Sequence, residues 1–399
     1  MKFAYSRFFF SILFAVSVFS CSDDNKVSDP DPDDNGISPA EFAMGVDLSY
    51  LNQIEDHGGI YLKNGVQVDP YEALKKHGAN TVRLRLWHNP DWVYDLYSHE
   101  VPLYSGYEDV EKSIQRAKNA GMSVLLDFHY SDVWADPGHQ DVPAAWHNIT
   151  DIDVLADSVY NYTYNVLSKL MSKNLLPEMV QIGNETNCGM MMTGVPSGFP
   201  ALNVCQGNWV NFGKIINAAI SAVRDIDDLA DQNTVVALHV ADPRNLNWWL
   251  NDVINKGKVT DFEVMGFSFY HIWHTEVAYN AIPALISQLI STYKRDVMLL
   301  ETAYPFTTAN NDNYSNLYYN QPPLAGFPYT PQGQRDFMID ITQKMMDAGA
   351  IGVFYWEPTW ITSDMIDLWG GGSSWENCAF FNYSGNLTNV VEYFTWEYD

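Results

Sequence analysis

Eight short apolar runs, separated by stretches with helical periodicity, are the feature that most constrains how this chain folds. The runs are rich in β-branched and aromatic residues and are bounded by turn-forming residues, which is typical of parallel strands covered on both faces. They comprise residues 42–48, 81–87, 122–129, 179–185, 234–240, 262–270, 297–301 and 351–357. This alternation predicts an α/β fold, a single (β/α)8 TIM barrel.

The segments between the runs have the apolar spacing of amphipathic helices. The first two are followed by Gly78 and Gly121, which are predicted C-terminal caps. The predicted helices span residues 71–77, 108–120, 153–173, 211–224, 246–255, 281–293 and 332–348. No internal repeat and no second domain is visible after the barrel, so we predict one (β/α)8 domain over residues 41–399.

The first 20 residues are predicted to be a lipoprotein signal peptide. Lys2 and Arg7 form a basic start, and residues 8–19 form an apolar stretch that is too short to span a bilayer as a mature helix. The next residues resemble a bacterial lipobox with Cys21 as the lipidated residue, and an ordinary cleaved signal peptide is the alternative. Acidic residues follow at once, as in surface lipoproteins of some Gram-negative bacteria. We therefore expect an exported lipoprotein on the outer-membrane surface.

Residues 21–40 are rich in Asp, Pro, Ser and Asn and are predicted to be a disordered acidic tether. No later segment is apolar enough to span a membrane, so we expect membrane contact only through the lipid at Cys21. Cys188 and Cys205 lie in one predicted loop and are the preferred disulfide pair, which leaves Cys378 free. We expect the protein to be a monomer.

The formal net charge of −27 argues against nucleic acid as a partner, because phosphate binding needs clustered Lys and Arg. The same charge would repel a strongly acidic polymer. A neutral polymer is compatible with it. The chain also has 13 Trp and 24 Tyr, whose rings either stack on sugars or fill the core.

Polar side chains lie in or at the ends of the predicted strands, which is where catalytic groups occur in a barrel. Any one of them alone is as consistent with a structural role, but together they predict a site at the barrel mouth. They are Asp47, Arg83, Arg85, Asp127, His129, Asn184, Glu185, His239, Tyr270, His271, Glu301, Trp356 and Glu357.

Two glutamates in this set, Glu185 and Glu301, close the fourth and seventh runs. Two carboxyl groups that face one cleft are what cleavage of a glycosidic bond requires, and retention of configuration needs them about 5–5.5 Å apart. Asn184 directly precedes Glu185, so its amide can hydrogen-bond a sugar hydroxyl near the reacting carbon. These residues predict a glycosidase.

The Asn-Glu pair after strand 4 and the Glu after strand 7 resemble the large clan of retaining (β/α)8 glycosidases. That resemblance implies that Glu185 is the acid/base and Glu301 the nucleophile. Longer segments resemble glycoside hydrolase family 53, whose members are endo-β-1,4-galactanases acting on galactan side chains of pectin, in type I arabinogalactan. The matching segments are Gly45-Val-Asp-Leu-Ser-Tyr50, Gly78-Ala-Asn-Thr-Val-Arg-Leu-Arg-Leu-Trp87, Asp127-Phe-His-Tyr-Ser-Asp-Val-Trp-Ala-Asp-Pro137, Gln181-Ile-Gly-Asn-Glu-Thr-Asn187, Gly266-Phe-Ser-Phe-Tyr-His-Ile-Trp273 and Glu301-Thr-Ala-Tyr-Pro305.

The resemblance implies roles for several further residues. Arg83 or Arg85 is expected near the nucleophile, where it favours the ionised form. Tyr270 is expected to hydrogen-bond Glu301, and Trp356 to form the floor of the sugar site. Further candidates for substrate binding are Asp47, Asp127, His129, Trp134, Asp136, Asn184 and His271. Trp134 either stacks on a galactose face or props its loop, and Asp132 and Asp136 either bind hydroxyls or cap loop turns.

No cofactor is expected to be required. Bacterial members of the family can carry calcium in the loop after strand 7, and here that loop contains Asn310 and Asp312. Its single carboxylate is fewer than calcium sites usually use, so a solvated polar loop is the preferred interpretation and calcium the alternative.

Two other functions stay open. The catalytic pair does not distinguish a galactanase from a clan member that acts on xylan or mannan, although residues 127–137 favour galactan. A surface glycan-binding lipoprotein with an inactive barrel is the second alternative, but a pure binder has no need for both glutamates. For the enzyme we expect a raised pKa at Glu185, a lower one at Glu301 and a bell-shaped pH profile.

Overall fold

Eight parallel strands form a closed barrel in which each strand pairs with the next along the chain and β8 pairs with β1. The computed structural model describes residues 42–97 and 99–399, so the predicted signal peptide, Cys21 and the tether lie outside the described residues. The strands are β1 Ala43–Asp47, β2 Thr81–Leu86, β3 Ser123–Phe128, β4 Met179–Ile182, β5 Val235–Ala241, β6 Val264–Ser268, β7 Asp296–Thr302 and β8 Gly352–Tyr355. The predicted TIM barrel is confirmed.

An α-helix follows each of the first seven strands and covers the barrel. These helices are α1 Pro70–Lys76, α2 Tyr107–Asn119, α3 Ile152–Met171, α4 Trp209–Ala230, α5 Leu246–Asn255, α6 Ile282–Tyr293 and α7 Pro331–Asp347. After β8 the chain forms a 3-10 helix, Asn389–Thr395, where the repeating pattern would place an eighth α-helix. Two short α-helices, Leu51–Asp56 and Val93–Leu96, and a small hairpin of Leu62–Lys63 with Val66–Gln67 lie in the loops after β1 and β2.

Helix α3 shows how the sequence sets a helix and its buried face. Asp151 caps the helix, because its side chain accepts the backbone N–H groups of residues 153 and 154. Leu155, Val159, Val166 and Leu170 are buried, and their spacings of four and seven residues place them on one side of the helix. In the described part of the chain, no helix combines the length and the apolar character needed to cross a membrane.

Apolar side chains fill the barrel interior below the site. They are Ala43, Leu125, Met179, Ala237, Val264, Met298, Leu300 and Phe354. Side chains alternate along a strand, so residues two positions later on the same strands point into the same interior. Asp127, Gln181 and His239 occupy such positions, and all three are buried. The apolar layer therefore supports a polar layer at the carboxyl ends of the strands.

Candidate active site

The chain turns sharply after β4, and this turn presents Glu185. Gly183 and Glu185 both have positive φ angles, 77° and 45°. A non-glycine residue in this region stores roughly 1–3 kcal/mol of strain, which surrounding contacts must hold in place. One such contact joins the Thr186 N–H to the His239 carbonyl at 2.9 Å. The strained backbone therefore fixes the direction of a buried acidic side chain.

Glu185 and Glu301 face each other at the barrel mouth. One carboxylate oxygen of each glutamate and a ring nitrogen of His239 all lie within 4.8 Å of one another. The two glutamates are only 8% and 6% exposed. An oxygen-to-oxygen separation of this size fits the spacing of about 5–5.5 Å in retaining glycosidases, whereas inverting enzymes need about 6.5–9.5 Å to admit a water molecule.

Arg83 is the centre of a buried ion-pair network. Its guanidinium nitrogens lie 2.8 Å from Glu301, 2.9 Å from Asp47 and 2.8 Å from Asp127. The same side chain donates to the Asn184 Oδ1 atom at 2.7 Å. Arg83 therefore connects the nucleophile candidate to the residue that precedes Glu185.

Arg85 lies in a separate environment. Its guanidinium carbon is 4.2 Å from the centroid of the Tyr50 ring and 4.8 Å from that of Trp134. Its Nη1 atom is 3.4 Å from the buried Glu357 carboxylate. Of the two arginines that the sequence placed near the nucleophile, the structure therefore selects Arg83.

The surroundings of the two glutamates have different effects on their pKa values. Burial raises the pKa of Glu301 to about 7, and the adjacent Arg83 guanidinium opposes this rise. Burial also raises the pKa of Glu185 well above its usual range, and repulsion by Glu301 adds to the rise. The direct ion pair with Arg83 favours the anion at Glu301, which leaves Glu185 as the protonated partner. Burial nevertheless keeps the pKa of Glu301 above that of an exposed glutamate.

Ser268 and His239 support Glu185. The Ser268 hydroxyl donates to Glu185 at 2.5 Å and lies 3.0 Å from His239 Nε2. Burial is the largest cause that lowers the pKa of His239 well below its usual value, so its ring is neutral. Sequence reasoning included His239 without a role and missed Ser268. The available signal was position, because Ser268 lies two residues before Tyr270 at the end of the sixth run.

The side chains of Asn184 and Tyr270 are held beside the catalytic pair by hydrogen bonds. The Asn184 Nδ2 group donates one hydrogen to the Ala135 carbonyl at 2.7 Å, and its second hydrogen is available for a sugar hydroxyl. The Tyr270 hydroxyl donates to Glu301 Oε2 at 3.0 Å, which is the contact expected from the sequence. Both side chains therefore combine a fixed orientation with a position beside a reacting carboxyl group.

His129 braces the ion-pair network. Its Nδ1 atom accepts from the Trp87 indole and from the Ala135 N–H, both at 3.2 Å. These bonds assign the ring hydrogen to Nε2, which donates to Asp127 at 3.1 Å. Burial lowers the pKa of His129, so the ring is neutral. His129 thus orients Asp127, which in turn contacts Arg83.

Aromatic rings form the floor and one wall of the mouth. Trp356 is buried, and its ring meets that of Trp134 edge to face at 5.5 Å. Trp134 is partly exposed and borders a groove of about 470 Å³, whose other walls include Trp92 and Trp369. Trp134 therefore both packs over Arg85 and faces open space, so its proposed stacking on a sugar and its role as a loop prop are compatible.

Two candidates make loop contacts. The Asp136 Oδ1 atom accepts the backbone N–H groups of residues 138 and 139 at 2.6 and 2.9 Å. Asp132 likewise accepts backbone N–H groups of residues 89 and 144, at 3.0 and 2.7 Å. Asp136 thus caps the turn of its own loop, whereas Asp132 joins its loop to the segments around residues 89 and 144. Binding of sugar hydroxyls by Asp136 stays a prediction.

His271 lies in an aromatic cluster beside the mouth. Its Nε2 atom is 3.0 Å from the Tyr329 hydroxyl, and its ring centroid is 5.0 Å from that of Tyr304. Burial lowers the pKa of His271 to about 4. Its contacts join the loops after β6 and β7, and its role in substrate binding stays a prediction.

In the loop after β7, the candidate calcium residues Asn310 and Asp312 make hydrogen bonds within the protein, and calcium binding there stays a prediction. The two carboxylate oxygens of Asp312 accept backbone N–H groups at 2.7 and 2.8 Å, and Asn310 Oδ1 accepts from the Asn316 amide at 2.8 Å. The Glu376 carboxylate, at the centre of the same region, accepts from the Asn311 N–H and from the Thr362 hydroxyl. These oxygens face hydrogen-bond donors, so the loop is organised by a buried carboxylate.

Comparisons with known proteins identify the family to which the whole barrel is similar. The family model of glycosyl hydrolase family 53 matches residues 43–394. The chain is 40% identical over 343 residues to an arabinogalactan endo-β-1,4-galactanase of Cellvibrio japonicus, covering 86% of each chain. It is 30% identical to an endo-β-1,4-galactanase of Bacillus subtilis, over 89% of this chain and 86% of that one. A solved family 53 catalytic domain from Ignisphaera aggregans has a TM-score of 0.79 and 32% identity, covering 92% of this chain and 98% of that one.

Proposed function

This chain belongs to glycosyl hydrolase family 53, and we propose that it is an endo-acting, retaining galactanase that cleaves β-1,4-galactosidic bonds in galactan and in the type I arabinogalactan of pectin. The observation that carries the proposal is the buried pair of Glu185 and Glu301, with one carboxylate oxygen of each within 4.8 Å of the other. The names of the relatives support the substrate class, and the acidic chain is compatible with a neutral polymer.

In the first step, Glu301 attacks the anomeric carbon while Glu185 donates its proton to the leaving oxygen. The bond to the leaving sugar breaks, and a galactosyl ester forms on Glu301. Arg83, at 2.8 Å, and Tyr270, at 3.0 Å, hold the attacking carboxylate. In this step Asn184 is placed to bind a sugar hydroxyl next to the reacting carbon.

In the second step, a water molecule replaces the leaving sugar. Glu185, now ionised, removes a proton from this water while the water attacks the anomeric carbon. The ester bond breaks, and Glu301 leaves as a carboxylate. Ser268 and the neutral His239 keep the Glu185 side chain in position through both steps. Both glutamates return to their initial protonation states.

The test is hydrolysis of linear β-1,4-galactan, with xylan and mannan measured in parallel. We expect reducing ends from galactan only, and a loss of activity of about 10²–10⁴-fold or more in Glu185→Gln and in Glu301→Gln. Thermal unfolding of both variants is the control for folding. Activity at the wild-type level in both variants contradicts the assignment, and preferred hydrolysis of xylan or mannan contradicts the substrate class.

We also propose that the protein is a monomeric, exported lipoprotein anchored through Cys21 at the outer-membrane surface. The basic start, the apolar residues 8–19 and the acidic residues after Cys21 support this. The test is incorporation of labelled palmitate and digestion of intact cells with protease. Labelling that persists in Cys21→Ser contradicts the anchor, and protection from protease contradicts surface display.

A further inference from the structure

We infer that Trp273 is a stacking platform for a galactose residue bound next to the cleavage point, on the side of the catalytic pair formed by the loops after β6 and β7. This inference rests on the proposed function. It adds a binding residue that is separated from Trp134, which borders the groove described above, by two buried tryptophans.

Trp273 combines a large exposed surface with firm support. Its side chain is 46% exposed, and its ring lies 5.1 Å from that of Tyr270 and 5.5 Å from that of Tyr318. It also stacks on Trp375, with centroids 6.3 Å apart and the planes inclined by 25°. Tyr318 and Trp375 are each 1% exposed, so they form a rigid backing. A pre-positioned ring loses little conformational entropy when it binds a ligand.

Trp273 is close to the chemistry. Tyr270, whose ring it contacts, donates a hydrogen bond to the carboxylate of Glu301 at 3.0 Å. A sugar on the exposed surface of Trp273 therefore lies near the sugar that reacts with Glu301. No other exposed tryptophan in the described residues has a ring contact with a side chain that touches either glutamate.

Four tryptophans form a row across the barrel mouth. Neighbouring centroids in the order Trp134, Trp356, Trp375 and Trp273 are 5.5, 4.8 and 6.3 Å apart. The two inner rings are buried, at 7% and 1% exposure, whereas the two outer rings are accessible. Accessible rings at both ends suit a polymer that crosses the cleavage point, as internal cleavage requires.

The chemistry of galactose fits such a platform. In a β-linked galactopyranose the 4-oxygen is axial, so the opposite face of the ring presents C–H groups. Covering a tryptophan with this face removes apolar surface of both partners from water, at roughly 25 cal/mol per Å². The hydroxyl groups at the edge of the sugar stay in contact with solvent or with polar side chains.

Binding without turnover tests the inference, and the Glu301→Gln protein serves as the parent for this purpose. Calorimetry with a β-1,4-linked galactohexaose should show about tenfold weaker binding in Trp273→Ala, as expected for a central aromatic contact. The affinity of Trp273→Phe should lie between those of the parent and Trp273→Ala, because phenylalanine keeps an aromatic ring that is smaller than the indole. Trp396→Ala is the matched control, since Trp396 is also 46% exposed but lies over Arg335 on the helical layer. We expect its affinity to equal that of the parent.

A second measurement uses the Glu301→Gln parent itself, which binds galactohexaose without cleaving it, and does not depend on the folding of a Trp273 variant. Oxidation of exposed tryptophans by N-bromosuccinimide, mapped by mass spectrometry, should be slower at Trp273 when galactohexaose is present and unchanged at Trp396. Equal affinity of the parent, Trp273→Ala and Trp273→Phe, or no protection of Trp273, overturns the inference while leaving the galactanase assignment intact. Failure of the assignment itself has a different signature, because neither hydrolysis by the wild type nor binding by the parent would then be seen.

Discussion

At the scale of single residues, the contacts of Glu185 and Glu301 assign different tasks to two chemically identical side chains. Glu301 has an arginine at 2.8 Å and a tyrosine hydroxyl at 3.0 Å, and both favour its anion. Glu185 has a serine hydroxyl and a neutral histidine nearby, and it is repelled by Glu301. The ionised carboxylate and the proton donor are thus set by their neighbours.

Replacing Tyr270 with Phe removes the hydrogen bond that lowers the pKa of Glu301. A higher pKa means that Glu301 becomes protonated at a higher pH, so the acid limb of the kcat/KM profile should move to higher pH. We expect a shift of about half a unit to one unit, which corresponds to a hydrogen bond of about 1 kcal/mol. The pH profile on galactan measures it. An acid limb that stays in place or moves down contradicts the role of Tyr270.

Replacing Glu185 with Gln should change how stability depends on pH. A buried carboxyl with a raised pKa contributes stability that is fully present below its ordinary value, about 4.5, and lost as the pH rises through its raised value. The glutamine stays neutral, so the fall in melting temperature between pH 5 and pH 8 should be smaller in the variant. Thermal unfolding at the two pH values tests this. An equal fall in both proteins would show that Glu185 does not carry the expected proton.

At the scale of elements, the strands and most helices were predictable because their apolar patterns are long and regular. The positions of Glu185 and Glu301 followed, since they end predicted strands. The sequence did not show which of Arg83 and Arg85 lies beside the nucleophile. They lie two residues apart on one strand, and their partners come from distant segments, Asp47 and Glu301 in one case and Tyr50 and Trp134 in the other.

Loop contacts were the least predictable part of the site. The motif left Asp136 as either a substrate ligand or a turn cap, and the structure shows that its Oδ1 atom accepts two N–H groups in its own turn. The support that Ser268 gives to Glu185 depends on the rotamers of both side chains, which no periodicity encodes. The role of Glu376 could not be predicted from the sequence either, because its hydrogen-bond partners come from two loops that are far apart along the chain.

Glu376 joins the loops after β7 and β8, so Glu376→Gln should loosen both. The amide replaces one acceptor oxygen by a donor that faces other donors, which destabilises the protein by about 1–3 kcal/mol. Thermal unfolding and limited proteolysis within residues 307–316 measure the effect. Because the loop is held by this carboxylate, EDTA should change neither the melting temperature nor activity in the wild type. A melting temperature that falls with EDTA and recovers with calcium contradicts this account.

At the scale of the whole molecule, a (β/α)8 barrel collects polar groups from eight strands at one mouth. The apolar layer beneath closes the barrel, so the site is a surface cleft. Four tryptophans in successive ring contact, accessible at both ends of the series, lie at this mouth, and two of them contact Tyr270 beside Glu301. A net charge of −27 leaves a neutral chain such as galactan as a compatible ligand. Fold, aromatic row and charge therefore agree with internal cleavage of a neutral polymer.

The central claim is cleavage of galactan in two steps, through a galactosyl ester on Glu301. Two inversions at the anomeric carbon restore its configuration, whereas direct attack by water inverts it once. Proton NMR of the first sugars released from linear β-1,4-galactan, recorded before mutarotation, tests this most directly. The carboxylate spacing predicts that the β-anomer appears first and the α-anomer only later. An initial α-anomer would contradict the account.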